Sequence, residues 1–187
     1  MPITEQQLLQ ILPRAGQRAG FFVPGENMAR LTEAAAGGRN VLAFLDMLSW
    51  AEGTSTMRGS DDGYNVIVGG GLFNSYADHP RQLINLPQLG IKSTAAGRYQ
   101  LLSRYWDAYR KSLNLIGGFT PENQDRVAIQ QIRERRALDD IKAGRVREAI
   151  EKCRNIWASL PGAGYQQHEH KLDDLLAHYV AAGGVLA

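Results

Sequence analysis

One glutamate lies on the apolar face of a predicted helix, where a carboxyl group is rarely placed. The spacing i, i+3, i+4, i+7 and i+11 puts on one face Val41, Phe44, Leu45, Leu48 and Glu52. Asn40 is placed to cap the start of this helix, and Gly53 ends it. Apolar surroundings disfavour an ionised carboxyl and the helix C-terminal dipole repels an anion, so we expect a raised pKa for Glu52. Such a group suits general acid catalysis of glycosidic cleavage. The alternative is a glutamate that reaches into solvent from a frayed helix end.

Two stretches rich in small residues each close on an aromatic side chain. The first reads STAAGRYQ at 93–100 and the second NIWASLPGAGY at 155–165. Small residues let a polymer approach the backbone, Tyr99 could stack on a sugar ring, and Gln100 could bond its amide or hydroxyl groups. The alternative for each stretch is a helix boundary with an aromatic residue packed in the core.

The remaining pattern predicts a mostly helical α+β chain with one small β element. Residues 1–38 form a predicted accessory helical arm without a catalytic role, ended by the Gly37–Asn40 linker, and 39–187 form the main domain. A strand is expected at 64–68 and irregular structure at 77–93. Further helices are expected at 101–113, from Thr120 to about 136, at 145–158 and at 169–182.

Composition and charge exclude several classes of function. The 187 residues are 44% hydrophobic and carry a net charge of +2 without a run of Lys and Arg, which argues against nucleic acid as a partner. No stretch is long enough to span a bilayer, and the start lacks the pattern of a signal peptide, so we expect synthesis in a cytoplasm. The single cysteine, Cys153, is expected to be buried and unreactive.

Other polar pairs are weaker candidates for chemistry. His168 and His170 could form a metal pair, but no further ligand cluster accompanies them, so we predict no metal. Asp78 and His79 precede Pro80 and are expected to form a turn rather than a catalytic dyad.

From about residue 41 to residue 184 the chain resembles the phage lambda-type endolysins. The strings that carry this resemblance are FLDML at 44–48, EGT at 52–54, GYNVIVGG at 63–70, DHPR at 78–81, AGRYQLLSR at 96–104, WDAYRK at 106–111 and NIWASLPGAGY at 155–165. They are long, ordered and spread over some three quarters of the chain.

The resemblance implies a lysozyme-like fold of two helical lobes, a small β-sheet and a substrate cleft. It also implies that Glu52 is the single catalytic acid/base of a lytic transglycosylase, which forms 1,6-anhydro ends on peptidoglycan without metal or cofactor. A monomer is expected, held in the host cytoplasm until a phage holin releases it to the cell wall. The substrate-binding residues expected on this basis are Tyr64, Asn65, Ser93, Thr94, Tyr99, Gln100 and Tyr165.

Two departures from the family pattern are present, and two alternative functions are weighed beside the resemblance. The loop between Glu52 and Tyr64 is shorter, and Asn65 stands where the lambda enzyme has Asp. A hydrolytic lysozyme of the phage T4 type would use Asp61, nine residues after Glu52, as a second carboxylate. No threonine follows where that family has one. A non-enzymatic wall-binding or virion protein is the other alternative, and the presence of Glu52 in its motif disfavours it.

Overall fold

The computed structural model describes residues 29–164 and 169–187. In chain order the helices and strands are α1 (Glu33–Ala36), α2 (Arg39–Ala51), β1 (Val66–Ile67), β2 (Gly71–Leu72), β3 (Ile84–Leu86), β4 (Ile91–Ser93), α3 (Ser103–Ser112), α4 (Pro121–Glu134), α5 (Leu138–Lys142), α6 (Val146–Cys153) and α7 (Leu172–Ala181). None of the helices in these two ranges has the length and hydropathy needed to cross a membrane. Cys153 is a free, buried thiol, as expected.

Helix α2 lies at the centre of the larger lobe and contacts α1, α4, α5 and α7. Its apolar residues repeat at helical spacing, and burying them accounts for much of this packing. Those that are wholly shielded from solvent are Val41, Ala43, Phe44, Leu45, Met47 and Leu48. Because α2 is enclosed along its length, the position of its last residue is fixed by the core of the lobe.

The smaller lobe contains two short antiparallel hairpins. In the first, Val66 pairs with Leu72 and Ile67 with Gly71. In the second, β3 pairs with β4 through Asn85 and Lys92, and a 3₁₀ turn at Pro87–Leu89 joins the strands. A separate hydrophobic cluster packs beneath the first hairpin around Trp106 and Phe119.

Helix α4 joins the two lobes. Val127 belongs to the cluster of the smaller lobe, whereas Ala128, Ile129 and Ile132 belong to that of the larger one. The described residues thus form two hydrophobic cores bridged by α4, with two small β-sheets, which is the predicted mostly α, α+β architecture.

Most predicted helices are present, some of them shorter than expected. Thr120 caps α4 by accepting a hydrogen bond from Asn123 N–H, and Pro121 occupies the first helical position, as predicted. The prediction of irregular structure across 77–93 was wrong, because β3 and β4 lie there. Each strand has only three residues and none of them is fully buried, so the pattern is too short and too exposed to identify a strand from sequence, although β3 does alternate.

The predicted capping role of Asn40 was also wrong. Gly38 occupies the cap position of α2 without a side-chain hydrogen bond. The Asn40 amide instead donates to the carbonyls of Lys142 and Val185 and accepts from Val185 N–H at 3.0 Å. Asn40 therefore fastens the C-terminal segment to the start of α2.

Residues 29–38 pack onto the larger lobe. Leu31 is 4% exposed and joins its core, its N–H donates to Asp125 at 3.1 Å, and Arg30 donates to Asp46 at 2.6 Å. The expected boundary at residue 38 would separate this segment from the lobe against which it packs. We therefore propose that the main domain begins before Arg30, and the arm at 1–28 lies outside the described residues.

Replacing Leu31 by Ala should lower the free energy of unfolding by about 2–4 kcal/mol, since it removes buried methyl groups from the core. Leu83 is 62% exposed, and Leu83→Ala is the matched control, expected to cost less than about 0.5 kcal/mol. Denaturant unfolding of the full chain would measure both. Equal costs for the two variants would mean that residues 29–38 are not part of the folded domain.

Candidate active site

Glu52 is the residue that ends α2, and Gly53 turns the chain away from the helix. The Glu52 N–H bonds the Leu48 carbonyl at 2.9 Å, and Gly53 has a φ of 73°, which a side chain would oppose. The Thr54 hydroxyl then donates to the Arg98 carbonyl at 2.7 Å. This hydrogen bond joins the turn after α2 to the 93–100 stretch.

The Glu52 carboxyl is largely shielded from water and has a hydroxyl partner. Ser159 Oγ donates to Glu52 Oε1 at 2.6 Å, and the Ser159 backbone also bonds this carboxyl. Burial raises the pKa of Glu52 and outweighs the two hydrogen bonds from Ser159, which lower it. The carboxyl therefore keeps its proton to a higher pH than an exposed glutamate does.

His170 bonds to the backbone on both sides of the Glu52–Ser159 pair. Its backbone N–H donates to the Ser159 carbonyl at 2.9 Å, and its ring nitrogen Nε2 lies 3.1 Å from the Ala51 carbonyl. The imidazole also lies against Trp50, with ring centroids 4.3 Å apart. His170 thus has a structural role, and no group of acidic, His or Cys residues in the described ranges could hold a metal ion.

A cavity of about 360 Å³ opens in front of Glu52. One wall comes from the smaller lobe, through the β1 segment at 66–70 and the apolar side chains of Leu86, Leu89 and Ile91. The other wall comes from the larger lobe and includes Ile156, Trp157 and Ala158. Among the described residues that line this cavity, Glu52 is the one carboxylate. The cavity therefore offers one carboxyl group, that of Glu52, to a bound ligand.

Two buried charged residues support the floor of the cleft. Asp125 accepts hydrogen bonds from the Tyr64 hydroxyl at 2.8 Å and the Tyr99 hydroxyl at 2.6 Å. Burial raises the pKa of Asp125, although Tyr99, Arg30 and Tyr64 act in the opposite direction. Arg98 pairs with Asp46 at 2.8 Å and with Asp62, and its guanidinium lies 5.0 Å from the centre of the Tyr64 ring.

The chain is similar to known proteins in both sequence and structure. The family model described as Endolysin matches residues 42–186. The endolysin of Escherichia phage lambda is 60% identical over 147 residues, covering 77% of this chain and 91% of that protein. The endolysin of Escherichia phage P2 is 52% identical over 159 residues, covering 80% and 96% respectively.

The chain belongs to the Endolysin family.

Solved structures agree with this assignment. A structure of bacteriophage lambda lysozyme complexed with a chitohexasaccharide has a TM-score of 0.75 and 55% identity, covering 86% of this chain and all of the other. A second structure of the lysozyme from bacteriophage lambda has a TM-score of 0.72 and 53% identity, with the same coverage. This endolysin therefore shares the lysozyme fold of a solved phage protein.

The structure brings some of the predicted substrate-binding residues into the cleft and leaves others outside it. Ser93 and Gln100 line the cavity beside Glu52, and so does Tyr99. The Tyr99 ring is nevertheless 5% exposed, and its hydroxyl is held by Asp125, so it presents little surface for stacking on a sugar. Tyr165 lies outside the described residues.

Tyr64, Asn65 and Thr94 do not line the cavity and have partners within the protein. Tyr64 is buried on Asp125. Asn65 accepts from the Asp61 N–H at 2.8 Å and steadies the loop. Thr94 accepts from the Ser103 N–H at 3.1 Å, at the start of α3. In this structure these three residues support the cleft rather than face it.

Sequence reasoning missed Ser159 and Asp125. Ser159 lies inside the 155–165 string, but nothing in the pattern singles out its hydroxyl. Asp125 follows Asn123 and Gln124, and all three are buried. Three consecutive polar residues one turn after a helix start could have signalled a buried polar cluster. At Asp78 the chain bends before Pro80, and the two side chains have separate partners: Asp78 pairs with Arg81 at 2.9 Å, and His79 bonds the Leu101 carbonyl at 2.9 Å.

Replacing Glu52 by Gln should stabilise the fold at pH 8. The raised pKa means that the folded state binds the Glu52 proton more tightly than the unfolded state does, so stability falls as pH rises above the ordinary glutamate value of 4.5. A glutamine amide does not ionise, so the variant does not lose this stability as the pH rises. The difference in stability between Glu52→Gln and the parent should disappear at pH values below 4.5, where Glu52 is protonated in both the folded and the unfolded state. Thermal unfolding across this pH range measures the difference.

The exposed Glu151 provides the control for this prediction. Glu151→Gln should change the unfolding temperature little at either end of the pH range. If Glu52→Gln were less stable than the parent at pH 8, the carboxyl would be stabilised as an anion, and the burial argument would be wrong.

Proposed function

We propose that this endolysin is a lytic transglycosylase that cleaves the β-1,4 bond between N-acetylmuramic acid and N-acetylglucosamine in peptidoglycan. The reaction uses no water, no metal and no cofactor, and it leaves 1,6-anhydro ends. The observation that carries this proposal is that Glu52, with its raised pKa, is the one carboxylate among the described residues of the cavity. The solved lambda lysozyme with a chitohexasaccharide supports a glycan as the ligand.

The chemistry follows from the state of Glu52. The protonated carboxyl donates its proton to the glycosidic oxygen, and the bond from that oxygen to C1 of the muramic acid breaks. The C6 hydroxyl of the same sugar attacks C1, and the Glu52 carboxylate takes the hydroxyl proton. The glutamate is thereby restored to its starting form, ready for another cycle.

Ser159 has a defined part in this cycle. Its hydroxyl and N–H stabilise the carboxylate that exists between the two proton transfers.

The attacking C6 hydroxyl is tethered near C1, so its effective concentration is high, and a second carboxylate is unnecessary. The cleft thus supplies one acid/base and a shaped wall, and the substrate supplies its own nucleophile.

The biological setting belongs to the same proposal. We expect a monomer that acts on the cell wall, reaches it when a phage holin opens the inner membrane, and so lyses the host. Residues 1–28, which precede the packed segment, are expected to have no catalytic role.

Mass spectrometry of muropeptides released from purified peptidoglycan tests the reaction type. The products should carry 1,6-anhydro ends, each lighter by one water than a hydrolysis product, and new reducing ends should be absent. Glu52→Gln should abolish product formation, because an amide is too weak an acid to protonate the glycosidic oxygen. Circular dichroism of this variant should show an unchanged fold. Reducing-end products would identify a hydrolase, and a nearly fully active Glu52→Gln would remove Glu52 from the mechanism.

A hydrolytic lysozyme remains the second candidate, and it depends on Asp61. The Asp61 carboxylate accepts from the Tyr76 hydroxyl at 2.8 Å and does not line the cavity beside Glu52. Asp62 likewise pairs with the buried Arg98. Both side chains are engaged in holding the loop, which disfavours a role for either beside the sugar.

Asp61→Asn and Asp62→Asn should therefore each keep substantial activity. The asparagine at 61 still offers an oxygen to Tyr76, and the one at 62 tolerates the φ of 46° found there. Initial rates of peptidoglycan cleavage, corrected for the folded fraction, measure the effect. A folded Asp61→Asn protein with about 1% or less of the parental rate would favour the two-carboxylate hydrolase.

A further inference from the structure

A second cavity, of about 440 Å³, continues from the one beside Glu52. The two cavities have a common wall formed by Tyr99, Gln100, Ile156, Trp157 and Ala158. The far wall of the second cavity comes from α3 and the end of α4. The second cavity therefore lies directly beside the one that contains Glu52.

The far wall differs in chemistry from the first cavity because it carries charged side chains. Arg104 and Arg135 line it and are exposed, and neither makes an ion pair with any residue in the described ranges. The Arg104 guanidinium lies 4.9 Å from the centre of the Tyr105 ring, which is 46% exposed. This places a cation beside an open aromatic face at the rim of the cavity.

One acidic side chain also lines this wall, and it has partners of its own. The Tyr109 hydroxyl donates to Glu134 Oε2 at 2.7 Å, and Gln130 donates to Oε1 at 3.0 Å. Both oxygens of Glu134 are therefore occupied. The two unpaired arginines leave the wall with a net positive charge, which favours an anionic ligand.

We propose that this second cavity binds the peptide stem of peptidoglycan and that Arg104 and Arg135 pair with stem carboxylates. The inference rests on the proposed function. We name the cavity the stem site, defined by Arg104, Tyr105, Tyr109, Gln131, Glu134 and Arg135. The sugars of the strand are uncharged once the lactyl group is joined to the peptide in an amide. Free carboxylates then occur on the stem, and arginine binds a carboxylate with two parallel hydrogen bonds.

The peptide stem is long enough to extend well beyond the sugar that carries it. A stem of about four residues spans at most roughly 14 Å when extended. The stem begins on the lactyl group of a muramic acid, and the common wall of the two cavities separates Glu52 from the stem site. A muramic acid that lies at Glu52 can therefore direct its stem along this wall toward the arginines.

The test compares two substrates that differ in the stem alone. One is purified peptidoglycan strands with intact stems, and the other is the same strands after an amidase has removed the stems and the freed lactyl carboxylates have been converted chemically to neutral amides. The variant is the double substitution Arg104→Gln and Arg135→Gln, which removes both charges and keeps polar side chains. Arg133→Gln is the matched control: Arg133 is exposed on α4, donates to Gln130 at 2.9 Å, and does not line the stem site.

We expect the double variant to lose about three- to tenfold in kcat/KM on strands with stems, mainly through KM. On stem-free strands its kcat/KM should stay within about twofold of the parent, and Arg133→Gln should match the parent on both substrates. Added salt should narrow the parent's preference for stem-bearing strands, because ion pairs at an exposed wall are screened.

Two outcomes would overturn the stem site while leaving the proposed function in place. The double variant could lose activity equally on both substrates, which would assign the arginines to the glycan or to the fold. It could also match the parent on both, which would make them solvent-exposed charges without a ligand. Failure of the parent chain to cleave either substrate would instead contradict the proposed function itself.

Discussion

Asp125 is the carboxylate at which the separate parts of this chain meet. It lies buried in α4 and accepts hydrogen bonds from Leu31 N–H, Tyr64 OH and Tyr99 OH. These donors come from the segment before α1, from the first β-hairpin region and from the 93–100 stretch. An unpaired buried donor costs about 1–3 kcal/mol, so loss of this one carboxylate would strand three groups at once. These hydrogen bonds, together with apolar packing, hold the two lobes in their relative positions.

The same polar cluster extends to the acid at the end of α2. Arg98 lies beside Tyr99, pairs with Asp46 on α2, and offers its carbonyl to Thr54, two residues after Glu52. The location of Glu52 is therefore set by backbone and side-chain bonds from both lobes. The burial that results destabilises its anion, which costs stability at neutral pH and favours the acid role that we propose for this group.

Local pattern in the sequence was enough to place Glu52 at the end of an apolar helix face and to predict the direction of its pKa shift. It was also enough for α4, because Thr120 and Pro121 mark its start without help from distant residues. It could not supply Ser159, which lies 107 residues from Glu52 along the chain. Tyr64 and Tyr99 were expected to contact sugar because their hydrogen-bond partner, Asp125, is distant in the sequence. In the structure both hydroxyls donate to Asp125, and both residues are buried. The β3–β4 hairpin was not predicted because its strands have three residues each and bury none of them fully.

The two bonds of His170 have a mechanical consequence. They connect the Ala51 carbonyl, next to the acid, with the Ser159 carbonyl, on the residue whose hydroxyl binds that acid. Trp157 and Leu160, on either side of Ser159, pack in the same hydrophobic cluster as α2. Glu52 and its hydrogen-bond donor therefore belong to the same lobe, whereas the opposing wall of glycine and apolar residues belongs to the other lobe. A wider cleft would leave the hydrogen bond from Ser159 in place, so any change in the pKa of Glu52 would come from altered burial alone.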